Sequence, residues 1–208
     1  MDIKPGAFIA LEGIDGCGKS TQASLLLSRL KEAGIACHGT MEPSGGPIGS
    51  LIRQVLTGRM HMDMRTVAGL FTADRLDHLL NEKDGILSMV QNGITVVTDR
   101  YYFSSYAYQS MDVPMEWIIE SNSQSSAILR PSVTIFLDID PDEALTRIEK
   151  NRFQKELFEK RSSLIRVRDN YMKAFDLLKD REKVLIIKAS GDPEAVGEAV
   201  WQGLQDYL

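Results

Sequence analysis

The sequence predicts a three-layer α/β fold, a five-stranded parallel sheet flanked by helices, with a short lid. Three observations predict it. Four short apolar runs (7–11, 94–98, 133–137, 184–187) and a fifth, more mixed one (36–41) alternate with helical patterns, as parallel crossover units do. The four runs are apolar almost throughout, which suits strands covered on both faces. Charge gathers just after these runs, as in Asp99-Arg100 and Asp138-Ile139-Asp140, and the C-terminal strand ends are where open α/β sheets bind ligands. At 208 residues the chain reads as one domain, 1–208, with the lid at approximately 150–160.

The first strand leads into Gly13-Ile14-Asp15-Gly16-Cys17-Gly18-Lys19-Ser20, which satisfies G-x-x-x-x-G-K-[ST] at every fixed position. Its glycines let several backbone N–H groups turn inward toward an anion. A helix starting near Lys19 adds the positive end of its dipole. Lys19 then reaches the β- and γ-phosphates of a nucleotide, and the Ser20 hydroxyl is placed for Mg²⁺. The helix continues over 21–30, with Leu25, Leu26 and Leu30 spaced for one face, and stops at Ala33-Gly34. Strand 36–41 ends in a tight loop, Glu42-Pro43-Ser44-Gly45-Gly46-Pro47.

Helices follow over 48–57, 64–81 and 86–91 until Gly93 breaks the pattern. The β-branched strand 94–98 ends in Asp99-Arg100-Tyr101, with helices over 103–109 and 114–121 after it. Strand 133–137 is followed by Asp138-Ile139-Asp140 and by Pro141 at a helix start. A charged connection over 150–159, a helix over 164–178, strand 184–187 and a helix from Gly191-Asp192-Pro193 to Tyr207 complete the chain.

Composition narrows the function. Lys plus Arg number 24 and Asp plus Glu 29, a net charge of -5, which argues against general nucleic-acid binding. No apolar run approaches the ~20 residues of a membrane span, and the first residues lack the apolar core of a secretory signal. Cys17 and Cys37 read as free thiols in a reducing cytoplasm. His38, His61 and His78 show no ligand spacing. Phosphoryl transfer asks for cations, Mg²⁺ and alignment. Arg100, directly after a buried strand and its aspartate, and Arg53 are the arginines best placed to fork onto a phosphate. Asp138 or Asp140 could be a metal-binding carboxylate, yet Asp140-Pro141 reads equally as a helix N-cap and first helical residue.

Taken in order, the motifs resemble the thymidylate kinase family over nearly the full length. The pieces that carry the resemblance are Leu11-Glu12 with the phosphate loop through Thr21, Glu42-Pro43 with Arg53 at the expected spacing, and Leu70-Phe71-Thr72-Ala73-Asp74-Arg75. Next come Asp99-Arg100-Tyr101 with Ser104-Ser105 and Ala107-Tyr108-Gln109, then 136–141, Arg166-Val167-Arg168 with Tyr171, and Ala189-Ser190.

The resemblance implies a phosphate-loop kinase fold, ATP with Mg²⁺ as phosphoryl donor, dTMP as acceptor, and a cytoplasmic homodimer. It implies that Gly13, Ile14, Asp15, Gly16, Cys17, Gly18, Lys19, Ser20 and Thr21 hold the ATP phosphates and that Arg147 lies over adenine, opposite the 188–192 loop. On the acceptor side it assigns Glu42, Pro43, Gln109, Phe71 (stacked on thymine), Arg75 and Ser105 (at the base edge), Tyr108 (crowding the sugar 2′ position), and Arg53 and Arg100 (on the acceptor phosphate). Asp15, Lys19, Arg100 and a lid arginine, Arg152, are the implied catalytic set, and Ser20 with Asp99 the metal set.

Some positions depart from the family's habit. Met41 stands where Arg often precedes Glu-Pro, a glycine-rich turn with Ser44 and Pro47 follows, and Gly16 stands where some members carry a loop arginine. The alternative is a kinase for another pyrimidine monophosphate or for an unphosphorylated deoxynucleoside. The latter needs a general base, for which Glu12 is the candidate. A GTPase switch would want an Asn-Lys-x-Asp motif, which the sequence lacks.

Overall fold

The computed structural model describes residues 5–151 and 160–208. Five parallel strands, β1 (Phe8–Glu12), β2 (Cys37–Met41), β3 (Thr95–Asp99), β4 (Val133–Asp138) and β5 (Val184–Lys188), form one sheet in the order β2-β3-β1-β4-β5. The predicted five-stranded sheet is therefore present, each strand within about two residues of its expected place. β1 is central and buried at every position, as its unbroken Phe-Ile-Ala-Leu-Glu run requires. The register sets Leu11 beside Asp99, Glu12 beside Phe136 and Met41 beside Asp99, so the C-terminal strand ends finish at one level.

The helices are α1 (Lys19–Glu32), α2 (Pro47–Leu56), α3 (Met64–Leu80), α4 (Ile86–Gln91), α5 (Tyr102–Tyr108), α6 (Met115–Ser121), α7 (Ser123–Ile128), α8 (Pro141–Asn151), α9 (Arg161–Leu178) and α10 (Pro193–Gly203). They flank both faces. Cys37 Sγ donates to the Leu27 carbonyl of α1 at 3.7 Å, whereas Thr40 Oγ1 meets His78 Nε2 of α3 at 2.7 Å. Strand residues of opposite parity point to opposite faces, so α1 and α3 cover different sides of β2. Beneath the sheet an aromatic cluster of Phe103, Phe136, Tyr171 and Phe175 joins α5, β4 and α9 at ring separations of 4.9–5.9 Å.

Two expectations change. α7 was not anticipated, because Ser-Gln-Ser-Ser-Ala-Ile has no apolar period; its central Ser125 is buried and the helix packs against α3. The last helix stops at Gly203 and a 3₁₀ turn, Gln205–Tyr207, carries the chain onward. Both cysteines are free, as predicted. Most of the expected lid, 152–159, lies outside the described residues, and with it Arg152. No helix among the described residues is long and apolar enough to cross a membrane.

Candidate active site

The loop after β1 bends as its glycines demand. Gly16 has φ 82, and a Cβ there would lie 2.5 Å from the Ala144 carbonyl oxygen. Gly18, at φ 98, is the left-handed residue that releases the chain into α1, which begins at Lys19. Lys19 is buried, and its Nζ donates to the carbonyls of Gly13 and Ile14, each at 3.0 Å. The ammonium is thus folded back over the loop that its own helix terminates. Ser20 Oγ donates to Asp99 Oδ2 at 2.7 Å, bringing the first turn of α1 to the end of β3.

These residues form one end of a cleft of about 680 Å³ above the strand ends. At that end Arg147 of α8 reaches Glu143 Oε1 at 2.6 Å and the Ala189 carbonyl at 3.2 Å, beside Gly191 and Pro193. The other end is walled by Met41, Glu42, Pro43, Arg53, Leu56, Phe71, Tyr108 and Gln109. Arg100 stands between the two ends in a left-handed backbone conformation, φ 75. Its Nη2 donates to Asp15 Oδ1 at 2.5 Å and to Tyr108 Oη at 3.2 Å. Its Nη1 reaches Ser104 Oγ at 2.9 Å and the Gly13 carbonyl at 3.2 Å. Burial opposes its charge, but Tyr108 and Asp15 hold the guanidinium protonated, well above its ordinary value.

Arg53 of α2 closes the floor of that other end. Its Nη1 donates to the carbonyls of Pro43 (3.0 Å) and Ser44 (2.7 Å), and its Nη2 to Ser50 Oγ (3.1 Å). Asp74 of α3 takes the N–H and hydroxyl of Ser44 at 2.7 and 2.6 Å. The glycine-rich turn that departs from the family's habit is therefore anchored from two helices.

Most residues singled out in the sequence meet in this cleft, from Asp15 through Thr21 with Glu42, Pro43, Arg53, Phe71, Asp99, Arg100, Tyr108, Gln109 and Arg147. Gly13 and Ile14 contribute carbonyls from beneath. Arg75 and Ser105, expected at the base edge, do not line it. Arg75 is 1% exposed; its Nε and Nη2 hold Glu42 Oε2 at 2.8 and 2.6 Å, and its Nη1 holds Asn122 Oδ1. The guanidinium is occupied with an interior carboxylate, which a buried arginine needs. Ser105 is 2% exposed, and its hydroxyl has no hydrogen-bond partner in the structure.

Asp138 pairs with Arg168 at 2.7 and 2.9 Å and does not line the cleft, and Asp140 accepts from the Asp142 N–H at 2.8 Å, the capping alternative. Sequence reasoning missed Gln22, Ser104 and Val196 as cleft residues. Gln22 had a usable signal, being one residue beyond Gly-Lys-Ser-Thr on the first turn of α1. Val196 had none.

Ser20 and Asp99 offer a hydroxyl and a carboxylate, the hard oxygen donors that suit Mg²⁺. No group of three His, Cys, Asp or Glu residues able to hold a metal occurs among the described residues.

A glycine loop between strand and helix, a lysine folded over it and arginines reaching toward the same space define a phosphate-loop phosphotransferase. Comparison with known proteins makes this particular. The thymidylate kinase family model matches residues 11–200, and the chain belongs to that family. It is 42% identical over 166 residues to the probable thymidylate kinase of Pyrobaculum calidifontis, covering 79% of this chain and 80% of that one. It is 38% identical over 211 residues to the probable thymidylate kinase of Staphylothermus marinus, covering 100% and 99%, and 39% identical over 195 residues to that of Pyrobaculum aerophilum, covering 93% and 94%. The chain is accordingly an enzyme, an ATP-dependent kinase that phosphorylates dTMP to dTDP.

Proposed function

We propose that ATP and dTMP occupy the two ends of this one cleft, with their phosphates meeting between Lys19 and Arg100. The observation that carries the reading is the position of Arg100, a half-buried cation between the phosphate loop and the acceptor end and bonded to both Asp15 and Tyr108. ATP phosphates lie on the backbone N–H groups of the loop, and Lys19 stabilises charge that develops on the transferred phosphoryl group. Ser20 and Asp99 would hold Mg²⁺, which supplies charge neutralisation at the phosphates. Arg147 and the 188–192 loop take adenine.

At the acceptor end Arg100 and Arg53 hold the dTMP phosphate, Phe71 stacks on thymine and Tyr108 crowds the 2′ position. Gln109, Glu42 and Pro43 complete the wall. Asp15 keeps Arg100 oriented while the acceptor is absent. Arg75 supports the base pocket through Glu42, and Ser105 from behind its wall. The protein works as a soluble cytoplasmic homodimer with no nucleic-acid partner, and Arg152 in the 150–160 lid supplies a further cation to the transferred group.

A deoxynucleoside kinase is disfavoured by Glu12, the candidate base. It is fully buried and both its oxygens are engaged, so a substrate hydroxyl cannot reach it. The test is ADP release coupled to NADH oxidation, run against dTMP, thymidine, dUMP and dCMP. We expect dTMP to turn over fastest and thymidine not at all. Turnover of thymidine at a rate comparable to dTMP would overturn the reading.

A further inference from the structure

Glu12 closes β1 and is 0% exposed, an interior carboxylate for which the reaction has no direct use. Its surroundings are all donors. Oε1 accepts from the backbone N–H of Tyr101 at 2.8 Å and of Ser104 at 3.1 Å. Oε2 accepts from Ser104 Oγ at 2.6 Å and from Tyr171 Oη at 2.8 Å. Two of these donors belong to the backbone that flanks Arg100, and the two hydroxyls touch its guanidinium. Arg100 Nη1 donates to Ser104 Oγ at 2.9 Å and to Tyr171 Oη at 3.4 Å.

Each hydroxyl has one hydrogen. Because Ser104 and Tyr171 spend theirs on Glu12, they turn lone pairs toward the cation. Without the carboxylate the two hydroxyls, 2.9 Å apart, turn to one another and to the Gly13 carbonyl, and their lone pairs are no longer held toward Arg100. The same carboxylate ties down the 101–104 backbone next to a residue held at φ 75, a strained conformation that a non-glycine residue keeps only where its surroundings impose it.

We propose that Glu12 is a positioning residue for the acceptor phosphate: through Ser104, Tyr171 and the Tyr101 amide it fixes both the backbone turn and the guanidinium plane of Arg100. Tyr171 comes from α9 and Glu12 from β1, so the device also joins the central strand to the helix that follows the 152–159 segment. Burial pushes the Glu12 carboxyl up from its ordinary value, and the Ser104 hydroxyl, the Arg100 charge, the Tyr171 hydroxyl and the Tyr101 amide work against that push. The two backbone N–H groups, which can only donate, and the nearby Arg100 charge favour the ionised form against that push.

The inference rests on Arg100 as a dTMP-phosphate ligand, and the experiment separates the two claims. Glu12→Gln keeps the shape but carries an N–H₂ group. Whichever way the amide turns, it opposes two N–H donors or donates to the two hydroxyls and reverses their polarity. KM for dTMP should rise at least about tenfold while KM for ATP changes less than about twofold. Tyr171→Phe keeps the ring packed on Phe136 and Phe175, removes one of the four donors, and should raise KM for dTMP about threefold. It decides the matter if Glu12→Gln does not fold.

In an Arg100→Ala background, Glu12→Gln should change KM for dTMP by less than about twofold, because the effect passes through Arg100. A purely structural role would lower the melting temperature and the active fraction with KM for dTMP unchanged, and that outcome overturns the proposal. So does a Glu12→Gln effect that persists undiminished without Arg100. If Arg100→Ala alone leaves KM for dTMP unchanged, the assignment of Arg100 itself falls and takes this inference with it.

Discussion

Removing the charge of Lys19 is the most direct probe of the donor end. Its Nζ sits over the loop, held at 3.0 Å by the Gly13 and Ile14 carbonyls, with the side chain only 7% exposed. A unit charge about 4 Å from a phosphoryl oxygen is worth ~4 kcal/mol at an effective dielectric constant of ~20, as befits a partly buried pair. Since 1.36 kcal/mol is tenfold in rate, losing it should lower kcat by about 10³-fold. Lys19→Met preserves length and apolar stem, so it isolates the charge from the packing. The two carbonyls it leaves behind belong to the buried residues Gly13 and Ile14, so losing their donor should cost about 1–3 kcal/mol of stability, small enough for the fold to persist. The assay is steady-state ADP release at saturating ATP and dTMP, with far-ultraviolet circular dichroism and a melting curve as controls. A well-folded Lys19→Met enzyme that retains more than about a tenth of its turnover would refute the role of this ammonium.

Three further outcomes are expected. Arg100→Ala should lower kcat/KM for dTMP by about 10²-fold with KM for ATP nearly unchanged, and a variant that instead loses ATP binding while keeping dTMP binding would reverse the assignment of the two ends. Tyr108→Ala should narrow the ratio of kcat/KM for dTMP over its ribose counterpart, and an unchanged ratio would make Tyr108 a wall residue without a part in sugar selection.

The third concerns pH. Burial pushes the Glu182 carboxyl up from its ordinary value, opposed by the Tyr102 hydroxyl (2.7 Å) and by Arg130. With the folded value raised, the native state binds more protons than the unfolded one in the window just above pH 4.5. The contribution of Glu182 to stability is therefore fully present below that pH and is lost as pH rises through the folded value. The melting temperature of the parent relative to Glu182→Gln should fall across this window in matched scans, and a difference that rises with pH would contradict the direction.

Much of the site was legible because it is local. The phosphate loop lies within consecutive residues, and its glycines, lysine and serine act through backbone bends and a helix start that need no distant partner. Asp99-Arg100-Tyr101 was legible because it directly follows a buried strand, which places it at the ligand-binding edge whatever the neighbouring strands are. Arg75 shows the limit. Its position in Leu70-Phe71-Thr72-Ala73-Asp74-Arg75 put it near the base, but 33 residues separate it from Glu42, the carboxylate that claims its guanidinium. Glu12 shows it too. Beside the phosphate loop it reads as a possible base, until Tyr171, 159 residues away, closes over it.

By itself the sequence determined the alternation of strands and helices, the nucleotide-binding loop and, through ordered motifs, the family. These depend on short-range periodicity and on chemistry carried within a few residues. Only the tertiary structure decided which charged groups stay available to the cleft and which are tied up by one another. An ion pair such as Arg75–Glu42 or Arg168–Asp138 forms when packing brings two distant side chains together, and its stability depends on how much water the surrounding elements exclude. The turning of Arg100 belongs to the same class of fact. Its direction is set by a carboxylate on β1, hydroxyls on α5 and α9 and the loop aspartate, which meet only once the sheet has assembled in the order β2-β3-β1-β4-β5.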